Sequence, residues 1–274
     1  MSAPIAPTAS TASPAVEEAE RSERLDRASV ASFDAFLGDP GEAGAVITTD
    51  RSIELDEASA FPGEAIAAVD AWGLQRAYVP ESYGGGLGDV FVPMMMIRRL
   101  ASRDVTVAVA HGKTFLGAVG AWIAGGPVAA DMADLVLAGE PVSWGLTEQG
   151  RGSDLSNTAT AAVIGDGIRV TGAKWPINNA TRGRAMTVLA RTGDQPGPRS
   201  LSLVLVDKHR VDARTLAPRP KVATHGIRGA DISGLDLRGT VVEGDHLVGA
   251  PGHGLEIVLK SLQLTRPLRA RAPW

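Results

Sequence analysis

Two short stretches hold most of the residues that could do chemistry. The first is Trp144-Gly-Leu-Thr-Glu-Gln-Gly-Arg-Gly-Ser-Asp154, a glycine-rich turn with hydroxyls and backbone donors. The second, twenty residues later, is Lys174-Trp-Pro-Ile-Asn-Asn-Ala180, which opens on a cation and an indole and ends in two side-chain amides. Glycine at 150 and 152 permits φ > 0, so successive backbone N–H groups can point into one concavity and hold an anion. Ser153 adds a hydroxyl donor suited to a pyrophosphate, and Thr147 could donate to the polar edge of a flat ring. Together the stretches suit a flat, polar, phosphate-bearing ligand. The plainer reading is a Gly-rich β-turn capped by Asp154. It is no dinucleotide fingerprint, because no third glycine and no following helix fit, and no Gly-Lys-Ser/Thr follows to make a Walker loop.

In a strand, Trp175 and Asn178 lie three apart and so on opposite faces. Buried amides at Asn178 and Asn179 need partners. A ligand ring with polar edges and a backbone turn would each serve. No carboxylate qualifies as a catalytic base. Glu148 belongs to the motif turn, Glu256 belongs to a solvated helix face, and nothing gives Glu243 the raised pKa and reach that a base needs.

The rest of the chain sets the frame. Its 274 residues are 44% apolar and 21% charged, the composition of a globular protein with a substantial core. A net charge of −4 argues against nucleic acid or anionic lipid as partner. Without cysteine there is no disulfide, thiolate catalysis or Cys-ligated metal. His111, His209, His225, His246 and His253 are scattered, with no ligand pair at helical spacing, so no metal site is expected. Residues 1–21 read as a disordered tail with no secretory signal, and no apolar stretch reaches the length of a membrane span. The expected location is cytoplasmic.

Residues 22–140 read as an all-α domain. Leu25, Val30, Phe33 and Leu37, then Ile66, Val69 and Trp72, then Met132, Leu135 and Val136 recur at helical spacing. The methionines around Met95 and Met96 are core or the lining of a plastic cavity. Residues 141–248 alternate, as at Ile168-Arg-Val170 and Leu235-Asp-Leu237, around the buried run Leu201–Val206. The expected fold is therefore α+β, an N-terminal helical domain followed by a small antiparallel β domain or barrel. From 249 to 274 helical spacing returns, with Leu255, Val258, Leu259 and Leu262 on one face.

Five segments, in order and at similar spacing, resemble the acyl-CoA dehydrogenase family. Trp72-Gly-Leu74 with Val79–Gly85 is similar to a loop between its early helices. Trp144–Glu148 with Gly152-Ser-Asp154 is similar to its flavin motif, and Gly172–Asn179 to its second flavin strand. His225–Asp231 resembles its substrate-proximal Gly-x-Arg turn. Gly252–Leu255 through Leu264-Thr-Arg266 resembles the start of its C-terminal helical domain. The resemblance covers roughly residues 25–268. It implies FAD as cofactor and an acyl-CoA thioester as substrate. A carboxylate would take the α-proton while the β-hydrogen leaves as hydride to the flavin. It also implies an electron-transfer flavoprotein or similar acceptor, and a homo- or hetero-oligomer. By position it puts Trp144, Leu146, Thr147, Gly152, Ser153, Trp175 and Asn178 at the cofactor, and Ser153 and Arg266 at the substrate. Pro176 stands where many members carry an aromatic, with Trp175 one residue early. The family's catalytic base belongs to the helical domain that would follow Thr265-Arg266. Only Pro-Leu-Arg-Ala-Arg-Ala-Pro-Trp274 follows here, so the chain alone is expected to be inactive. The competing expectations are a non-catalytic acyl-CoA- or flavin-binding partner subunit and a flavin oxidase or monooxygenase of the same superfamily.

Overall fold

The computed structural model describes residues 28–193 and 197–270, with side chains to 266. The expected tail over 1–21 and Leu25 lie outside them. Six helices come first: α1 (Ala28–Leu37), α2 (Thr49–Glu57), α3 (Gly63–Trp72), α4 (Phe91–Ala101), α5 (Val105–Ala124) and α6 (Pro127–Leu137). Their ends follow local chemistry. Thr48 caps α2 by accepting from the Arg51 amide, and Asp104 caps α5 by accepting from the Val107 amide. Gly73 closes α3 in the left-handed conformation. Pro127 opens α6, where its missing N–H leaves no donor unmet.

Eight strands follow: β1 (Val142–Gly145), β2 (Ala161–Ile164), β3 (Ile168–Asn178), β4 (Ala185–Arg191), β5 (Leu201–Asp207), β6 (Leu216–Arg219), β7 (Ile232–Val242) and β8 (Leu247–Val248). They form one sheet in the order β6-β7-β3-β2-β4-β5-β8, with β1 beside β4. Pairing is antiparallel except where β4 meets β1 and β2. Helix α7 (Gly254–Ala270) ends the described chain. The α+β architecture is as the residue patterns predicted.

β5 shows why a continuous apolar run was needed. Leu201, Leu203 and Leu205 enter the helical core, while Val204 and Val206 enter a second core within the sheet. β4 is shared the same way, Leu189 on one side and Met186, Val188 and Ala190 on the other. Strands covered on both faces lose the polar alternation of surface strands.

α5 crosses the helical core and packs on β1. At Gly117 an added Cβ would stand 2.7 Å from the Val142 carbonyl oxygen, so only glycine permits this approach. Thr187 of β4 donates to the Gly117 carbonyl at 2.7 Å and ties the helix to the sheet. By length and composition alone α5 is long and apolar enough to cross a membrane, which corrects the sequence expectation; 67% of its apolar window is buried inside this fold. Met94 and Met96 are core. His111 is also absorbed: Nδ1 meets the buried Tyr78 hydroxyl at 2.8 Å and Nε2 meets Asp70 of α3 at 3.0 Å.

α7 brings the second correction. Its buried face is Gly254, Ile257, Val258, Ser261 and Thr265, while Leu259 is 50% exposed and Leu255 and Leu262 are half-buried. The helix is rotated so that Ile257, Val258, Ser261 and Thr265 face inward; Ile257 and Ser261 lie against Gly120 of α5. Ser261 and Thr265 are buried without penalty because each hydroxyl donates to the carbonyl four residues back, at 2.8 Å. The helix therefore has partners within this chain, and Val258 does not belong to an open leucine face.

Candidate functional site

The turn after β1 is built around a buried ion pair. Lys174 of β3, fully buried, points its ammonium at Glu148 Oε1, 2.8 Å away, and at the Leu146 carbonyl, 3.1 Å away. Glu148 also accepts from the Ala159 and Thr160 amides at 2.8 and 3.0 Å, and the Arg151 guanidinium lies 3.6 Å from its Oε2. Burial pushes the Glu148 carboxyl upward, but the Lys174 hydrogen bond, the Ala159 amide, the Lys174 charge and the Thr160 amide outweigh it and hold the group at about 2. Burial lowers Lys174 to about 8 against the raising effect of Glu148. Glu148 is thus a fixed anion that shapes the loop, and its low pKa is the opposite of what a general base requires.

On the far side of this pair the loop opens into a cleft of about 370 Å3, a size typical of small-molecule sites. Its walls come from four places. β1 and its loop give Trp144, Leu146, Thr147, Gly152, Ser153 and Leu155. α5 gives Lys113 and Leu116, the end of β3 gives Pro176, Ile177 and Asn178, and α7 gives Leu262 and Arg266. Seven of the residues singled out from sequence therefore meet in one place: Trp144, Leu146, Thr147, Gly152, Ser153, Asn178 and Arg266. The side chains of Thr147, Ser153 and Asn178 make no hydrogen bond within the described chain. The cleft so offers two hydroxyls, an amide and two cations against an apolar wall.

Trp175 is not brought to the cleft. Between Lys174 and Ile177 the β3–β7 register shifts, which breaks strict alternation. The Trp175–Pro176 peptide is cis. Pro176 lines the cleft, while Trp175 packs beside Gly234, where an added Cβ would stand 2.8 Å from its ring, and lies 3.4 Å through Nε1 from the Pro220 carbonyl. Asn179 takes the plainer of its two readings: it is 2% exposed at φ 59°, and its amide donates to the Ala110 carbonyl at 2.7 Å. Of the two motif glycines, Gly150 has φ 79°; Gly152 lies outside the left-handed region, and a Cβ on it would meet no protein atom within 4 Å. Asp154 accepts from Ser156 and Asn157. Turn geometry and an open, unfilled cleft thus coexist.

Arg228, in the segment expected near substrate, instead binds Asp56 of α2, its backbone amide at 2.6 Å and Nε at 2.8 Å. That Leu116, Leu155, Ile177 and Leu262 form the apolar lining was not read from sequence, nor was the place of Lys113. That lysine had a signal: it is the one Lys or Arg in the twenty residues of α5. Glu256 is exposed and paired with Lys260 at 2.7 Å. No carboxylate lines the cleft among the described residues.

Comparison with known proteins agrees with this geometry. The family profile described as "Acyl-CoA dehydrogenase, middle domain" matches residues 143–240. The probable acyl-CoA dehydrogenase FadE25 of Mycobacterium tuberculosis is 30% identical over 220 residues, 79% of this chain and 56% of the relative. Cyclohex-1-ene-1-carbonyl-CoA dehydrogenase of Syntrophus aciditrophicus is 28% identical over 221 residues, 79% of this chain and 52% of the relative. The chain thus spans about half the length of the curated relatives it matches. Among solved structures, butyryl-CoA dehydrogenase from Megasphaera elsdenii superposes with a TM-score of 0.79 at 23% identity, over 88% of this chain and 64% of that one, a likeness of fold. The profile on the strands, the relatives spanning helices and strands together, and the shared fold place one conclusion on this sequence: the chain belongs to the acyl-CoA dehydrogenase family.

Proposed function

We propose that this chain carries the FAD- and acyl-CoA-facing part of an acyl-CoA dehydrogenase-type flavoprotein. The observation that supports this most is the unfilled donor set of the cleft: Thr147, Ser153 and Asn178 without intrachain partners, beside Lys113 and Arg266. Donors left open toward a cavity fit a ligand rich in acceptors, such as a pyrophosphate and a ring with carbonyl edges. In this reading Ser153 and Arg266 hold phosphate, and Thr147 and Asn178 orient a ring edge. Trp144, Leu116 and Leu146 exclude water from it. Trp175 has no direct role, because its indole packs elsewhere. Bound FAD would supply the acceptor for the hydride leaving the β-carbon of an acyl-CoA thioester. The α-proton must go to a carboxylate, and none lines the cleft. The described residues therefore bind and orient but do not abstract the proton, and the chain alone turns over negligibly, at least ~10²-fold below a form with a positioned base. An electron-transfer flavoprotein or similar acceptor and an oligomeric assembly complete the reading.

The same lack of a carboxylate favours a second reading, a binding subunit without chemistry of its own. FAD titration followed by anaerobic addition of an acyl-CoA, with dye reduction as readout, separates the two. FAD binding with no dye reduction, restored by a chain that supplies the base, supports the dehydrogenase part. Binding that no such chain converts to turnover supports the subunit. Equal FAD affinity for the wild type and for Ser153→Ala rejects the phosphate assignment. Fast dye reduction by this chain alone rejects the statement about the base, and oxygen consumption in place of dye reduction marks an oxidase.

A further inference from the structure

A second polar cluster lies away from the cleft, where α6 meets the turn between β7 and β8. His246 ends that turn with its side chain 2% exposed, and both ring nitrogens are buried without a hydrogen-bond partner. A buried polar group in that condition calls for an explanation. Nε2 faces two carboxylates: Asp131 Oδ2 of α6 at 3.5 Å and Glu243 Oε2 at 3.9 Å. Both distances exceed an N–H···O hydrogen bond, normally about 2.7–3.2 Å. They are close to another geometry. Two ligand atoms each about 2.0–2.2 Å from one tetrahedral ion sit roughly 3.4 Å apart. Asp245 adds a further donor, since ligand atoms of Glu243, Asp245 and His246 lie within 4.8 Å of one another. Asp131, Arg210 and His246 also line a surface cleft of about 290 Å3, which gives an ion a way in.

We propose that His246, Asp131 and Glu243 form a divalent-cation site of zinc type that clamps α6 to the β7–β8 turn. One imidazole with two carboxylates suits zinc, whereas calcium and magnesium prefer oxygen alone. Arg210 lies across both carboxylates, 3.5 Å from Asp131 and ion-paired with Glu243. Its side chain is 43% exposed, so it can turn outward when a cation takes over its charge. The sequence offered no warning, because the site uses a single histidine and because Asp131 is more than a hundred residues distant in sequence.

The test uses tag-free, chelator-stripped full chain titrated with ZnCl2 by calorimetry and with CoCl2 by visible absorption. The expected result is one saturable zinc per chain, a tetrahedral cobalt spectrum and a higher thermal midpoint with zinc. His246→Asn should abolish the saturable site. Asp131→Asn and Glu243→Gln should each weaken it at least ~10-fold, the scale on which even groups supporting a ligand act. Arg210→Gln should keep or tighten it. Absence of saturable binding overturns the proposal and leaves His246 as a member of an ion-pair network only. Binding unchanged in Asp131→Asn also overturns it, because an ion that does not use Asp131 does not clamp α6 to the turn. If His246→Asn does not fold, the half-exposed Asp131 variant decides alone. None of these outcomes bears on the FAD assignment.

Discussion

Thr147 and Glu148 are adjacent, as are Asn178 and Asn179, yet in each pair one residue is spent on the fold and the other faces the cleft. Glu148 takes an ammonium and two backbone amides, and Asn179 donates to a helix carbonyl. Thr147 and Asn178 make no side-chain bond within the described chain and line the cavity. The difference is one of layer. The inner residues hold the loop in place so that the outer ones can remain unpaired, which is how a rigid scaffold keeps donors ready for a ligand. Damage to the inner layer should therefore appear as lost stability, and damage to the outer layer as lost binding.

Lys174→Met tests the inner layer most severely. It leaves Glu148 buried beside an apolar chain, and breaking one side of a buried pair costs about 3–5 kcal/mol. Two backbone amides and the Arg151 guanidinium, 3.6 Å away, still serve Glu148, so the lower end is expected. Urea denaturation measures it, and adding Glu148→Gln should recover part of the loss. A cost below about 1 kcal/mol would remove this pair from the account of how the loop is held. Acid probes the same layer without mutation. The Glu148 carboxyl is held at about 2 against an unfolded value near 4.5, so its contribution is complete above about 4.5 and fades as pH falls toward 2. That gap corresponds to on the order of 3 kcal/mol. Glu148→Gln should flatten the stability profile across that window, in denaturation curves taken at a series of pH values.

Ser153→Ala tests the outer layer and should behave in the opposite way. The hydroxyl is exposed and unpaired, so stability should stay within about 0.5 kcal/mol. If it meets a charged phosphate, about 1.5–3 kcal/mol of binding is lost, or roughly 10- to 150-fold in FAD affinity. A variant less stable but equally tight would reverse the layer assignment.

The sequence carried the layers unevenly. Helical and alternating periods located the elements, because burial on one face leaves a repeat that can be counted; Leu201–Val206 was legible for its double burial. Site positions were legible where the chain brought donors close together, as in Thr147–Ser153. Trp175 was not, because the β3–β7 register shifts between Lys174 and Ile177, and alternation counted along the sequence fails across such a break. The α7 face was rotated because leucine spacing was counted and the buried Ser261 and Thr265 were overlooked; their bonds to preceding carbonyls make burial acceptable. Glu148 was read as part of a turn, but its partner Lys174 stood out only as a cation, since pairing across strands appears only in three dimensions.

The smallest expected effect separates two glycines. Gly117→Ala puts a Cβ 2.7 Å from one backbone oxygen and 2.9 Å from another, on a helix and a strand that cannot easily part. Overpacking of this kind costs about 1–3 kcal/mol. Gly152→Ala has no such neighbour, since its Cβ would meet no protein atom within 4 Å, and its φ lies outside the left-handed region. A surface change of that kind should leave stability within about 0.5 kcal/mol. Whatever Gly152→Ala does must then come from the ligand. If an anion lies close against this backbone, the methyl holds it off and FAD affinity falls while the melting curve stays put. A variant unchanged in both would make Gly152 a bystander of the turn and shift the phosphate contact to Ser153 and Arg266.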